Sequence, residues 1–242
     1  LHVSADLSAG FALLLIEAGA RVNSRDKEAN TPLELALLNV AEVKLTTVDT
    51  LVRHGADIHS GSVMKNALAT SAAIVRRLID AGVKCTGEDG RQLLQHAIRS
   101  HVDAPTAERA RIVQVLVDNG APVQGTPLLL QIASLPNDYG VGRCLVQAGA
   151  SVDARECSGR SVLHMAAAAG NVDLVMTLLA YNAFIEFIDL RLTNALERAK
   201  DEQTAALLFA AGSQRRKSRY DPSRLPVAQA RIELQRHRVR LL

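Results

Sequence analysis

One short pattern, a leucine followed four places later by glycine, restricts the folding of this chain more than any other feature. It reads LIEAGA from Leu15, LVRHGA from Leu51, LIDAGV from Leu78, LVDNGA from Leu116, LVQAGA from Leu145, LLAYNA from Leu178 and LFAAGS from Leu208. The fifth place is held by Gly19, Gly55, Gly82, Gly120, Gly149 and Gly212, and once by Asn182. Glycine, and asparagine next, are the residues that accept positive φ, which is what a helix closed by a left-handed residue requires. The intervals between these places are 36, 27, 38, 29, 33 and 30 residues. A chain so punctuated is a series of similar units, each too small to bury its own apolar face.

Ahead of each cap, apolar residues fall at i, i+1, i+4 and i+5, as in Ile74, Val75, Leu78 and Ile79 or Ile112, Val113, Leu116 and Val117. That spacing makes one face of a helix. Apolar residues form 48% of the chain but aromatics only 3%, with no Trp, so the core is one of Leu, Ala, Val and Ile, suited to close-packed helices. Two further segments, NTPLELA (Asn30–Ala36) and RSVLHMAAAAG (Arg160–Gly170), place Thr31 and Ser161 twelve residues after Gly19 and Gly149. These resemble the TPLHxAAxxG first-helix motif of the ankyrin-repeat family, whose period is about 33 residues. Weaker copies are LLQHA from Leu93, LLQIA from Leu129, NALERA from Asn194 and VMKNA from Val63. The resemblance implies an all-α fold: an ankyrin-repeat solenoid of stacked helix-loop-helix units with β-hairpin-like fingers, plus a basic C-terminal helix. The expected organisation is a solenoid over 1–212, with a partial repeat at about 1–20, then a basic linker and helix over 213–242.

The repeats are uneven. The loops after Gly55 (ADIHSGS) and Gly120 (APVQGT) are too short for a full finger, whereas SHVDAPTAERA (Ser100–Ala110) lengthens a link between helices. GEDGRQ, from Gly87, reads as a finger and not as a phosphate cradle.

Convergent chemistry is not found in the sequence. There is no HExxH, GxxxxGK[ST], GxSxG or strand-borne GxGxxG, so no catalytic residue, cofactor or metal site is expected. His164 stands at the motif histidine, whose implied role is to tie loop backbone together. Cys85, Cys144 and Cys157 form no CxxC pair; Cys144 is expected in the core and Cys157 on a finger. Free cysteines and the lack of a signal-like start suit an intracellular setting, cytoplasmic or nuclear, and a chain taken from a longer one. Apolar runs such as AGFALLLI from Ala9 are too short to span a bilayer.

A binding role therefore rests on surfaces. The resemblance places the concave face on the fingers and the outward positions of first helices, here Leu35, Asn66, His96, Ile132, Met165 and Arg198. The finger NAFIEFIDL (182–190) sets Phe184, Phe187 and Ile188 where sibling fingers carry Arg21, Ser24 and Arg25, or Ser151, Ala154 and Arg155. Either this finger is a partner hot spot, or the C-terminal segment covers it. Arg155 and Arg160 join these residues as partner-binding candidates.

Residues 213–242 carry a net charge of +7 against a total of +3, leaving −4 on 1–212. Pro226 opens a stretch whose Leu225, Ile232 and Val239 form one stripe and Val227, Ala230, Leu234 and Leu241 another. RRKSR (Arg215–Arg219) reads as a solvated linker, an import signal or a phosphorylation site at Ser218. Basic helices also bind nucleic acid, but no interleaved aromatics accompany this one. An LxxxC box of the kind that recruits a ubiquitin ligase to some ankyrin proteins is not matched, since no Cys follows Cys157. The expected function is a non-enzymatic adaptor holding a partner protein segment on the concave face. The alternatives are a targeting domain of a larger enzyme or ubiquitin-ligase assembly, and a nucleic-acid or anionic-surface binder acting through the tail.

Overall fold

The computed structural model describes residues 9–38, 45–99, 107–124, 127–138, 140–212 and 226–241. Among them the structure is helical, with thirteen α-helices and one isolated antiparallel bridge between Arg155 and Ser161. The chain divides into two compact units, Leu1–His101 with Gln114–Pro122, and Val102–Val113 with Val123–Leu242.

In the first unit α1 (Ala9–Glu17), α3 (Leu45–Arg53) and α5 (Ala72–Asp80) pack in sequence as one row. A second row is formed by α2 (Pro32–Leu38), α4 (Gly61–Leu68) and α6 (Gly87–Arg99), with α2 against α3 and α4 against α5. The amphipathic stripes do what their spacing dictates: Val75 and Leu78 are fully buried and Ile74 nearly so. Helix α7 (Ala107–Asp118), with Val113 and Leu116 fully buried, has its start in the second unit and its end in the first. The second unit continues with α8 (Leu128–Ala133), α9 (Val141–Gln147), α10 (Val162–Ala169), α11 (Val172–Ala180), α12 (Glu202–Ala210) and α13 (Val227–Leu241).

All seven cap positions have positive φ: +88° at Gly19, +83° at Gly55, +115° at Gly82, +88° at Gly120, +89° at Gly149, +58° at Asn182 and +104° at Gly212. The leucine that opens the pattern is bonded, and from Leu51 onward it is also buried. In the first six copies its carbonyl accepts the N–H of the residue after the cap, from Ala20 to Leu15 at 2.9 Å through Ala183 to Leu178 at 2.9 Å. The cap N–H itself bonds a carbonyl three residues back, as in Gly149 to Val146 at 3.0 Å. Paired bonds of this kind satisfy carbonyls that a helix end otherwise leaves without partners.

Three fingers are complete hairpins. Asp26 N–H bonds Asn30 O, Glu156 bonds Arg160, and Asp189 bonds Thr193, each at 3.0 Å, around a left-handed tip at Ala29, Gly159 or Leu192. The loops after Gly55 and Gly120 are short, as expected. GEDGRQ is not a finger: Gly87 opens α6, and Gly90 lies inside it, where an added Cβ would fall 1.7 Å from the Cys85 carbonyl. Close backbone packing, not a turn, explains that glycine. NALERA is not a full helix either, because Arg198 and Ala199 donate to Ala195 and Leu196 in tighter i→i+3 bonds at 3.2 Å.

The first-helix motif works as a reciprocal cap. Thr31 N–H donates to Glu34 Oε2 at 2.7 Å and Glu34 N–H to Thr31 Oγ1 at 3.3 Å. Ser161 with His164 and Asn194 with Glu197 repeat the exchange. His164 also links repeats: Nδ1 accepts from Ser161 N–H, so the proton lies on Nε2, which donates to Thr193 O at 3.0 Å. Burial pushes the pKa of His164 down, keeping the ring neutral. Glu34 plays the same part with a charge, its Oε1 accepting the hydroxyls of Ser60 and Ser62. Burial pushes its carboxyl upward, but bonds from Ser62, Thr31 and Ser60 together outweigh that and hold it at about 2, against an ordinary 4.5.

The C-terminal helix does not cover the greasy finger. It packs on α11 and α12, burying Ala230 and Leu234. Arg238 donates to Leu179 O at 3.2 Å, and His237 Nε2 lies 3.3 Å from the Thr177 hydroxyl. The Ala230/Leu234 stripe is thus the docking face, while Ile232 and Val239 point outward, 44% and 75% exposed. Arg215–Arg219 with Ser218, Leu225 and the Leu241 side chain lie outside the described residues.

Three outcomes are expected. Gly149→Val places a β-branched residue at positive φ, costing about 1–3 kcal/mol, and lowers the melting temperature accordingly; an unchanged melt removes the cap assignment. Leu234→Asp undocks α13, so that its amides exchange rapidly in hydrogen-exchange mass spectrometry while the remaining helices keep their protection. For Glu34 the folded pKa lies below the unfolded one, so its contribution is complete above pH 4.5 and is lost as pH falls towards 2. The urea midpoint should fall through that window, and Glu34→Gln should lower the midpoint at pH 7 while flattening the fall.

Candidate interaction surface

Two neighbouring fingers of the second unit, 150–161 and 183–194, are hydrogen-bonded to each other. Phe184 N–H donates to Asp153 Oδ1 at 2.8 Å and Leu190 N–H to Ser158 O at 3.1 Å. Asn23 plays the equivalent role in the first unit, accepting Asp57 N–H at 2.8 Å and donating to Gly55 O at 2.9 Å. This polar spine holds finger side chains on a fixed backbone.

Ala183 turns inward at 5% exposure, as the repeat pattern requires. Phe184 and Phe187 meet edge to face, with ring centroids 4.7 Å apart and an interplanar angle of 65°. The Arg155 guanidinium lies 4.4 Å from the centre of the Phe187 ring, a cation–π geometry that orders both side chains. Phe184 nonetheless remains 53% exposed and Ile188 38%. Arg155, Phe184, Phe187 and Ile188 are therefore brought together, as a surface cluster rather than a covered one.

Sequence reasoning missed Leu190 and Leu192, which are 79% and 68% exposed. Leu192 has φ +58° at the finger tip, the place Gly159 takes in the preceding finger. A leucine held there is strained as well as solvated. Alignment of the two tips is the signal that would have found it. Beneath, the nearly buried Asp189 carboxylate accepts Arg191 N–H at 2.9 Å, Thr193 N–H and hydroxyl at 3.0 Å, and the Arg198 guanidinium. Burial alone raises its pKa, but these bonds from Thr193, Arg198 and Arg191 prevail and hold it at about 2. Arg198 is thereby a structural strut. Arg160 is partly exposed and paired with Glu156 and Ser158.

The first-helix row needs one correction. Leu35, His96 and Met165 are half-buried, with surface to offer, but Ile132 is fully buried. In α8 the half-buried position before the buried pair Ile132–Ala133 is Gln131, matching Met165 before Ala166–Ala167. LLQIA is thus shifted by one residue from the motif, and Ile132 is a core side chain. Leu35 and His96 belong to the first unit, Met165 and the Phe184 cluster to the second.

Cys157 is exposed on its finger, as expected, and Cys85 is buried, but Cys144, expected in the core, is only half-buried. Among the described residues no three His, Cys, Asp or Glu side chains are grouped to hold a metal ion, and no helix is long and apolar enough to cross a membrane.

A family model for the ankyrin repeat matches residues 158–190, the stretch that contains α10, α11 and the greasy finger. The chain is 29% identical over 212 residues to NF-kappa-B inhibitor zeta of Bos taurus, an overlap of 87% of this chain and 24% of that protein. It therefore spans about a quarter of that relative's length. Among solved structures, the human ASB11 ankyrin repeat domain superposes with TM-score 0.61 at 22% identity, covering 89% of this chain and 98% of that one. The ankyrin repeat domain of Bcl-3, described as a member of the IkappaB protein family, gives TM-score 0.59 at 22% identity, covering 84% and 95%. With left-handed caps at all seven positions, reciprocal first-helix caps and hairpin fingers, residues 158–190 match an ankyrin repeat and the chain has the fold of ankyrin repeat domains.

Proposed function

We propose that this chain is a non-enzymatic interaction module that holds a partner protein segment against its fingers and first-helix positions. In the second unit the 182–192 finger is the principal contact. The observation that carries this reading is the set of bulky apolar side chains, Phe184, Ile188, Leu190 and Leu192, exposed on a backbone fixed by hydrogen bonds. Preorganised aromatic and aliphatic side chains lose little entropy on binding, and such clusters act as hot spots. The strained Leu192 supports the same conclusion, since glycine would relax that tip and leave nothing to contact. A relative named as an inhibitor and neighbours named as ankyrin repeat domains accord with a role exercised on another protein.

The test is photo-crosslinking with benzoylphenylalanine at Leu190, compared with the same residue at Gln235, an exposed position on α13. Leu190 should give discrete polypeptide adducts and Gln235 none. Phe184→Ala with Phe187→Ala should abolish the Leu190 adducts, consistent with hot-spot losses of about 2 kcal/mol or more, while leaving the circular dichroism spectrum unchanged. Equal adducts from both positions, or adducts that survive the double substitution, would overturn the reading.

A further inference from the structure

The first unit contains a groove of about 760 Å³ between the 58–61 loop, α4, the 83–84 segment and α6. Its floor and walls include Met64, which is buried, and the half-buried Val83 and Leu93. Its volume is that of a site for a few side chains, and an apolar lining with a few polar groups is the usual make-up of such sites. The charges at its edge are unequal. Lys65 and Lys84 are both exposed, and neither has an ion-pair partner among the described residues. The single lining carboxylate is Asp89, in the first turn of α6. His59 and His96 add ring nitrogens and no negative charge. The first unit carries 11 Lys and Arg against 12 Asp and Glu, so a groove lined by two lysines and one carboxylate is more basic than the unit around it.

We infer that this groove receives an acidic protein segment, an apolar side chain entering between Met64, Val83 and Leu93 while flanking carboxylates meet Lys65 and Lys84. The inference rests on the interaction-module reading and deepens it for the first unit; the Phe184 finger is a separate contact in the second. Carboxylate–ammonium pairs at a groove edge set orientation and reject basic segments through like-charge repulsion.

The experiment selects a random dodecapeptide library displayed on phage against the whole chain, then measures recovered peptides by fluorescence anisotropy. Enriched sequences should carry net negative charge around at least one Leu, Ile or Phe. Lys65→Glu with Lys84→Glu should weaken them at least tenfold, and Leu93→Asp should abolish binding. Both lysines are exposed, so the charge reversal should leave the melting curve in place; Phe184→Ala with Phe187→Ala should leave these peptides bound. Enrichment of neutral or basic peptides, no enrichment, or affinity indifferent to the lysine reversal would overturn the groove assignment. Acidic peptides that respond to the Phe184/Phe187 change and not to the lysines would overturn it too, while keeping the finger as a binding surface.

Discussion

The bond from the residue after the left-handed cap back to a leucine carbonyl, made in the first six copies, is what the rest of the structure depends on. It closes the second helix, reverses the chain and fixes the point from which a loop or finger departs. The bond spans five residues and is satisfied locally, from Leu15 through Leu178. Intervals between caps can therefore run from 27 to 38 residues without altering the reversal. A geometry rigid at short range tolerates irregularity at long range, which is how fingers of different length coexist within one chain.

Continuity from one repeat to the next is carried by a second device, the side chain three residues into the first-helix motif. Glu34 and His164 each cap their own helix with one atom and reach the following loop with another. One is a carboxylate held ionised by hydroxyl and amide donors; the other is an imidazole held neutral by burial. Position and bonding capacity, not residue type, define the role. In the second unit the almost fully buried Arg109 and Asp138 show the opposite balance. Burial opposes ionisation of both, and the Asp138 charge favours the charged state of Arg109.

The caps were legible in the sequence because positive φ admits few residues, so that Gly149 or Asn182 declares itself without tertiary context. Ser161 and His164 were legible for a related reason, a capping exchange confined to four consecutive residues. What failed was register where local signals weaken. Ile132 and Gln131 differ by one position in an apolar helix, and nothing in LLQIA says which one meets solvent. GEDGRQ looked like a turn because its glycines were read as conformational, whereas Gly90 answers to the nearby Cys85 carbonyl, a contact invisible to composition. The site divided in the same way: Phe184 and Phe187 stood out by type, but their edge-to-face pairing under Arg155 depends on two fingers brought side by side. The docking of α13 on α11 and α12, away from the finger, depended on which of two stripes turned inward, a choice that tertiary packing makes.

Leu192 has a further consequence. Its backbone occupies a conformation that glycine would adopt without strain, and its side chain stays 68% exposed. On the function proposed above, foldedness and recognition pull in opposite directions at this one residue. Under selection for thermal robustness alone, the finger tip is where sequence would drift first towards glycine, and the surface would be blunted while the scaffold beneath it improved. A stabilised variant of this chain is thus poorly judged by its melting temperature, because the change that raises it most easily at the tip is one that removes the proposed contact.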